Sequence, residues 1–237
     1  FLLISLSTAS FAQERSLGGA VKAEKSSSVN GSKILYTTYS VKENTPSDRL
    51  AKAVLSLEKS VEGLDKVSGK ESEKKDREIQ SIVSGIMDLE VLGKQALLRY
   101  WDELGASRKG IEQRVQYQKL FKELVEANYL EKMRVYMSGK YQIPLVQETI
   151  AKNTAIVEAR IKKTDVDLIV EFHFLKANTE WRVVDVKLDE ISLEATYRSS
   201  FNRIIRKKGG LKTGFLELLN VMKQRLVELK KGEATQL

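Results

Sequence analysis

Apolar residues recur at a helical spacing in the first half of the chain and again near its end, and they alternate with polar residues in between. A helical pattern resumes at Asp76, and from Ile79 to Met87 apolar residues fall at offsets 0, 3, 4, 7 and 8, on one stripe of a helix with 3.6 residues per turn. Comparable stripes follow the cap and proline residues at 44–48 and start again after Ser107 and Leu211. The pattern predicts a helical half, a strand region and a helical end.

The strand region predicts a small sheet. One alternating run covers residues 155–161, a second covers 168–174, and Trp181 begins a third. Because the connections at 162–167 and 176–180 are short, the strands are expected to be antiparallel. The predicted fold class is therefore α+β, with a small antiparallel sheet packed against several helices.

The first residues are expected to be the end of a signal peptide. Their apolar stretch closes with Ser10 and Ala12, small residues at the −3 and −1 positions of a cleavage site, so residues 1–12 are predicted to be removed. The stretch is much shorter than the roughly 20 residues that a bilayer span needs. The alternative is a fragment of a buried strand or of a membrane helix.

The rest of the chain divides into a lead, a domain and a tail. Residues 13–46 are rich in Ser, Lys, Gly and Asn, which predicts a flexible lead, with one short strand at 34–36 left open. A single domain is expected at residues 47–231, since 237 residues with 42% hydrophobic content support one sizeable core. Residues 232–237 are expected to form a tail.

Positive charge is concentrated towards the C-terminus. The formal net charge is +8, and residues 194–231 hold ten Lys or Arg against three Asp or Glu. A basic surface attracts nucleic acid, anionic lipid head groups or acidic proteins, and a solvated helix face is the alternative. Nucleic acid is not expected as a partner, because Tyr197, Phe201 and Phe215 fall on apolar helical phases and not on an exposed stacking surface.

The side-chain chemistry favours binding over catalysis. The chain has one histidine and no cysteine, which removes the usual nucleophile pairs and His/Cys metal sites. His173 falls on the polar phase of a strand beside Glu171 and is predicted to be a surface residue. Asp185 and Asp189 lie near opposite ends of a strand-to-turn segment, so a facing pair of carboxylates is not expected. No enzymatic activity, metal or cofactor is predicted.

Small and large residues share the apolar face of the predicted sheet. Ala155 and Ala159 fall on the phase where the neighbouring strand supplies Phe172 and Phe174. Such mixing can leave an apolar void that water does not fill. An ordinary packed core is the alternative.

One segment carries several motif elements at fixed spacing. Trp181 to Phe201 reads WRVVDVKLDEISLEATYRSSF, and a basic run that ends in glycine follows it. The elements are a leading Trp, a Val-Asp-Val core, an Ile-Ser-Leu step, a Thr-Tyr-Arg-x-x-Phe helix start and an Ile-Ile pair before Gly209. In their order and spacing they resemble the MlaC family of periplasmic phospholipid carriers, also called toluene-tolerance proteins. Glu190 departs from the family pattern, which has Gly before the Ile-Ser-Leu step.

The resemblance extends over residues 48–231 and implies both a fold and a function. The family encloses phospholipid acyl chains in an apolar cavity between a twisted sheet and its surrounding helices. The chain is therefore expected to act in the periplasm as a monomer, which shuttles phospholipid between an inner-membrane ABC transporter complex and an outer-membrane lipoprotein complex. The residues expected to line the pocket are Val157, Ala159, Ile161, Val170, Phe172, Phe174, Val184, Val186, Tyr197, Phe201 and Ile204.

Three charged residues are assigned other roles. Arg198 and Arg203 are expected at the mouth of the pocket, against the lipid head group, or on a docking face, with a structural salt bridge as the alternative. Asp185 is expected to anchor the strand-to-helix corner. Two other functions stay open, namely a cavity-free structural or adaptor protein and a carrier of a different apolar ligand, such as a sterol-like lipid.

Overall fold

The computed structural model of the protein describes four stretches of chain, which are residues 43–63, 66–136, 145–163 and 166–231. Side chains are described throughout these stretches except at 129–136, 162–163 and 166–167. The predicted signal peptide, the lead as far as residue 42 and the predicted tail lie outside the described residues. None of the helices within the described stretches combines the length and the apolar content needed to cross a membrane.

Within these stretches the chain forms helices, then a sheet, then two more helices, in the order that the change of period predicts. The helices are α1 (Pro46–Val61), α2 (Lys70–Ile86), α3 (Leu89–Leu97), α4 (Arg99–Gly105), α5 (Arg108–Tyr136), α6 (Leu193–Lys207) and α7 (Leu211–Lys231). The strands are β1 (Leu145–Ala151), β2 (Thr154–Lys163), β3 (Val166–Ala177), β4 (Glu180–Leu188) and β5 (Ile191–Ser192). The α+β prediction is confirmed.

Capping residues and charged first turns decide where the helices start. The Thr45 hydroxyl accepts a hydrogen bond from the Asp48 amide at the start of α1, and Ser192 caps α6 in the same way. Each cap satisfies an amide that a helix leaves unpaired at its N-terminus. α2 begins at Lys70, earlier than the expected Asp76. Its first turns carry charged residues that favour a helix without extending the apolar stripe.

The sheet is an antiparallel meander in which β1 to β5 are neighbours in chain order. The expected hairpins between β2, β3 and β4 are confirmed. β1 is a further strand, since the alternating pattern read from the sequence begins only at Ala155. Residues 146–151 are all exposed, so β1 carries no alternation of buried and exposed positions by which the sequence would reveal it.

A β-bulge in β4 breaks the alternation that the sequence suggests. Val183 pairs with Phe174 and Val186 pairs with Phe172, so the valines are three positions apart while the phenylalanines are two apart. Val184 is the extra residue and has no direct partner on β3. A strict period of two therefore cannot predict which residues of β4 share the inner face of the sheet.

The core lies between the sheet and the helices and contains a cluster of packed aromatic rings. Tyr117 and Phe121 of α5 contact Tyr197 and Phe201 of α6, with ring centroids 5.1–6.1 Å apart. Phe215 of α7 lies 6.1 Å from Tyr117. All five rings are buried. Edge-to-face and offset ring pairs add to the free energy of burial, so this cluster fixes α5, α6 and α7 against one another.

Candidate functional site

The inner face of the sheet, which is turned towards the helices, is built from cross-strand rows of apolar residues. From one end to the other the rows are Ala155–Phe174–Val183, Val157–Phe172–Val186, Ala159–Val170–Leu188 and Ile161–Leu168. The first row is 3% exposed or less. Further along, Phe172, Val186 and Leu188 are only half-buried, as is the last row. Burial is therefore complete at one end of the face and partial at the other.

Four of the described helices pack against the sheet. α1 packs against β1, β2 and β4, whereas α2, α3 and α6 pack against β4. Tyr197 and Phe201 of α6 belong to the contiguous core cluster, and Ile204 packs against it half-buried. The cluster also includes Val157 and Phe174 of the sheet. The structure therefore brings residues from both predicted groups, the sheet and α6, into one continuous apolar region.

Not every residue predicted for the pocket joins that region. Ala159 and Val170 are buried, yet among the described residues neither belongs to the contiguous cluster. Ile161 and Val184 are half-buried, Ile161 in the last row and Val184 at the bulge. The predicted lining thus divides into a packed part near the aromatic cluster and a less covered part further along the sheet.

The small residues of β2 are paired differently from one another. Ala155 lies directly opposite Phe174, but Ala159 lies opposite Val170 and not opposite a phenylalanine. Both alanines are buried. The pair Ala159–Val170 therefore carries less side-chain volume than the neighbouring pair Val157–Phe172.

Two depressions on the described part of the chain lie on the surface of α6. One is lined by Ser199, Asn202, Arg203 and Arg206. The other lies between β5 and the start of α6 and is lined by Glu190, Ile191, Ser192, Ala195, Thr196, Ser199 and Ser200. Both are open to solvent, and neither is lined by one of the apolar residues predicted for the lipid pocket.

Two buried tyrosines bring hydroxyl groups into the apolar region. Burial raises the pKa of Tyr197 to about 12, and a hydrogen bond with Asn128 opposes this rise. Burial also raises the pKa of Tyr117 well above its ordinary value, and the Tyr117 hydroxyl donates to the Gly93 carbonyl at 2.9 Å. Both phenols are therefore neutral at physiological pH, and each has a hydrogen-bond partner.

Arg198 and Arg203 differ in their surroundings. Arg198 Nη1 lies 2.9 Å from Glu194 Oε1, one turn earlier on α6, which is the structural salt bridge considered as the alternative. Burial raises the pKa of Glu194, while the Arg198 guanidinium opposes that rise. Arg203 is exposed and lines the open depression on α6.

The single histidine takes part in a charge cluster on the opposite face of the sheet. His173 Nε2 lies 2.9 Å from Glu171 Oε2, and Lys187 Nζ lies 3.5 Å from the same oxygen. The hydrogen bond with His173 is the main cause that lowers the pKa of Glu171. His173 is half-buried, not a fully exposed surface residue. Among the described residues no group of three or more His, Cys, Asp or Glu side chains is placed to hold a metal ion.

Sequence reasoning missed two residues of the inner face, Val183 and Leu188. Val183 lies two positions after the buried Trp181, and Leu188 lies two positions after Val186. Each residue continues an alternation of inner and outer positions with its neighbour, but the two residues are five positions apart, so a single alternation with a period of two cannot place both on the inner face. Only the bulge reconciles them, and nothing in the sequence of β4 marks its position.

Comparison with known proteins gives a match over most of the described chain. The model of a protein family described as "MlaC protein" matches residues 57–224. No protein of curated function matches the sequence.

A solved structure shares the fold. It is that of a phospholipid-binding protein from Ralstonia solanacearum, determined in complex with a phospholipid. The superposition has a TM-score of 0.63 at 19% sequence identity, and it covers 77% of this chain and 97% of the other. At that identity the likeness establishes a common fold.

Proposed function

Because the chain belongs to the MlaC family, whose model spans residues 57–224, we propose that it binds a phospholipid and transports it through the periplasm without catalysing a reaction. The observation that carries the proposal is the apolar inner face of the sheet, which is fully buried at Phe174 and Val183 but only half-buried at Phe172 and Val186. Apolar surface that the folded chain leaves partly uncovered favours a ligand. The shared fold with a protein whose structure holds a phospholipid supports this class of ligand.

The physical need for enclosure follows from the size of the acyl chains. Each methylene group in water costs about 0.8 kcal/mol. A lipid with two chains and on the order of 28 methylenes would therefore cost roughly 20 kcal/mol if it crossed an aqueous compartment unprotected. A carrier has to offset most of this with apolar contacts, whereas the charged head group gains by staying in water.

The proposed pocket lies between the sheet and α6. In this proposal Val157, Ala159, Val170, Phe172 and Phe174 form its floor. Val186 and Val184 form one side and Ile161 its open end, while Tyr197, Phe201 and Ile204 form the wall from α6. The pair of Ala159 and Val170 is the best place for an acyl chain, because both side chains are buried and both are small compared with the phenylalanine of the neighbouring row. Arg203 is assigned to the head group at the mouth or to a docking face, and Arg198 contributes mainly through its pair with Glu194.

The proposed route of transport connects two membranes. The protein, acting as a monomer, would receive phospholipid from one of two complexes and deliver it to the other, one an inner-membrane ABC transporter and one an outer-membrane lipoprotein complex. Transfer between apolar pockets requires no bond to be made or broken. The single histidine and the absence of cysteine in the sequence agree with a role of this kind.

Lipid extraction from the purified protein, followed by mass spectrometry, tests the proposal. Co-purifying phospholipid at near-stoichiometric amounts is expected. If the extract contained a different apolar molecule, such as a sterol-like lipid, the protein would be a carrier of that ligand and not of phospholipid. Protein purified with no bound lipid, and unable to take up lipid from vesicles, would instead favour a cavity-free adaptor.

A substitution on the inner face tests the position of the pocket. Ala159→Trp is expected to reduce lipid occupancy by filling the row beside Val170, with folding checked by circular dichroism. Val186→Trp provides a second test at a half-buried position where a larger side chain is more easily accommodated. Ile169→Trp is the matched control, because Ile169 is 51% exposed and points away from the inner face. Equal occupancy in all three folded variants would contradict the assignment.

A further inference from the structure

The corner between α6 and α7 holds a group of basic side chains, of which only Arg203 has a role in the proposed pocket. This basic corner consists of Arg203, Arg206, Lys207, Lys208 and Lys212. Residues 203–212 include no Asp or Glu, and all five basic side chains are exposed. Lys208 lies 3.5 Å from Glu217 Oε1. In the part of the chain that the structure describes, Arg206, Lys207 and Lys212 have no carboxylate within 4.0 Å, so their charge is not neutralised locally.

Neither helix capping nor the helix dipoles explain why so many basic residues lie at this corner. The amides of Gly209 and Gly210 donate to the carbonyls of Arg206 and Ile205 at 3.1 and 3.0 Å, so backbone bonds already cap α6. Cations in the last turn of α6 do interact favourably with the helix dipole. Lys212, however, lies in the first turn of α7, where a positive charge is unfavourable and where no acidic residue offsets it.

The basic corner is held on a rigid support. Gly214 of α7 lies so close to α6 that a Cβ atom there would come within 2.2 Å of the Ile205 carbonyl oxygen. Gly209 and Gly210 adopt φ of 84° and 97°, which reverses the chain tightly between the helices. The positive side chains of both helices are therefore presented together on one corner of the molecule.

A polar stripe on the outer side of α6 continues the basic corner. Ser199, Asn202, Arg203 and Arg206 are spaced i, i+3, i+4 and i+7, so they share one face of the helix, and they line an open depression. Hydroxyl, amide and guanidinium groups all donate hydrogen bonds to phosphate oxygens, and guanidinium does so in a bidentate geometry. The buried residues Tyr197 and Phe201 lie on the other side of the helix.

We propose that the basic corner and this stripe dock the protein on the surface of an anionic lipid bilayer, through the phosphate-bearing head groups. Among the described residues, those that line the open depression along the stripe include no aromatic side chain, whereas protein interfaces depend on buried aromatic anchors. Clustered Lys and Arg are the feature that an anionic membrane surface attracts. Leu216, 48% exposed and one turn after Lys212, is placed to contact the interfacial region. The surface is separate from the inner face of the sheet, so docking does not depend on the proposed lipid pocket.

Vesicle co-sedimentation tests the proposal. Wild-type protein is expected to bind vesicles that contain phosphatidylglycerol, not to bind pure phosphatidylcholine vesicles, and to be released by 1 M salt, at which the screening length falls to about 3 Å. The triple variant R206Q/K207Q/K212Q is expected to bind on the order of 100-fold more weakly, since each basic residue near the surface contributes about five-fold. The matched control K94Q/K109Q/K119Q removes the same charge from exposed lysines of α3 and α5 and is expected to bind as the wild type does.

Three results would overturn the proposal. If both triple variants lost vesicle binding to the same extent, net charge alone would cause the binding. If the wild type bound phosphatidylcholine vesicles as well as anionic ones, apolar insertion would cause it. Corner-dependent binding to immobilised poly-glutamate without binding to anionic vesicles would assign the corner to an acidic protein. Lipid carried by the salt-released protein is measured separately by extraction, so loss of docking and loss of lipid carriage are distinguishable.

Discussion

Asp185 Oδ2 accepts a 2.6 Å hydrogen bond from Ser192 Oγ, which ties β4 to the residue that caps α6. Asp185 Oδ1 accepts from the amide of Glu194 at 2.9 Å, and Ser192 Oγ accepts from the amide of Ala195 at 2.9 Å. The two side chains thus satisfy two amides at the N-terminus of α6, where a negative charge is also favourable. The predicted role of Asp185 as an anchor of the strand-to-helix corner is confirmed.

Replacing Asp185 with Asn is expected to lower the free energy of unfolding by about 1–3 kcal/mol, because the amide removes the charge and turns an N–H group towards one of the two donors. Urea denaturation measures the change. Asp189→Asn is the control, since Asp189 is exposed in the following turn with φ of 47°, a conformation that Asn also tolerates. That variant is expected to stay within about 0.5 kcal/mol of the wild type. Equal losses in the two variants would contradict the anchoring role.

The elements with one buried stripe were predictable, and those without one were not. The stripe from Ile79 to Met87 identified α2, and the alternation after Ala155 identified β2 and β3. The exposed β1 and the charged first turns of α2 carry no such contrast between buried and exposed positions. The segment from Trp181 to Phe201 identified the family, because it combines a strand, a turn and a helix start in a fixed order, and the family model confirms that resemblance.

The candidate site was less predictable than the fold. The sequence contains Val183, Val184 and Val186 but not the pairing that assigns each to a position on β4. The bulge lies beside the point where β4 meets the α2–α3 junction, since Met87 forms a parallel bridge with Val183, and a contact so distant in sequence cannot be predicted from the residues of β4. The salt bridge of Arg198 was predictable as an alternative, because Glu194 lies one helical turn away on the same face.

Gly214→Ala is expected to destabilise the protein by about 1–3 kcal/mol, because the added methyl group would meet the backbone of Ile205 and separate α6 from α7. Thermal or urea unfolding measures the loss. Gly85→Ala is the matched control within another helix, since a Cβ atom there meets nothing within 4 Å. The control is expected to gain up to about 1 kcal/mol, as Ala is the better helix former. A gain at both glycines would show that the two helices are not in backbone contact.

The hydrogen bond between His173 and Glu171 is expected to make the stability of the fold depend on pH in the acidic range. Because the pKa of Glu171 is lowered in the folded protein, its contribution to stability is present above the ordinary value of 4.5 and is lost as the pH falls through the folded pKa. His173→Ala is expected to raise the pKa of Glu171 towards 4.5, as measured by carboxyl carbon NMR. The stability difference from the wild type should then shrink as the solution is acidified below that value.

Lys187 provides the comparison for this prediction. It also lowers the pKa of Glu171, but less than the hydrogen bond with His173 does. Lys187→Ala should therefore raise the pKa of Glu171 by a smaller amount than His173→Ala. The reverse order would show that charge, and not the hydrogen bond, controls this carboxyl group.

Arg182 is expected to stabilise the fold through the C-terminal end of α2. Its Nη2 donates to the carbonyls of Ser84 and Met87, both at 2.7 Å. Ser84 lies in the last turn of α2 and Met87 caps the helix, so neither carbonyl has a partner within α2. Arg182→Met is expected to cost about 2–3 kcal/mol in urea unfolding, because it removes both charge-assisted bonds and leaves part-buried carbonyls unpaired. Arg182→Lys should recover only part of the loss, since a point charge cannot reproduce the planar fork.

Arg77→Met is the matched control for Arg182. Arg77 lies on α2 itself, but it is 67% exposed and pairs with Glu73 at 3.8 Å on the helix surface. Exposed pairs of this kind contribute about 0.3–0.5 kcal/mol, so the control should remain close to the wild type. If Arg182→Met cost no more than Arg77→Met, the junction of α2 with β4 would have to be held mainly by the hydrogen bond that the Asp88 amide donates to the Val183 carbonyl at 2.7 Å. That bond uses only backbone atoms, so both arginine variants leave it intact, and the difference between them isolates the contribution of the Arg182 side chain.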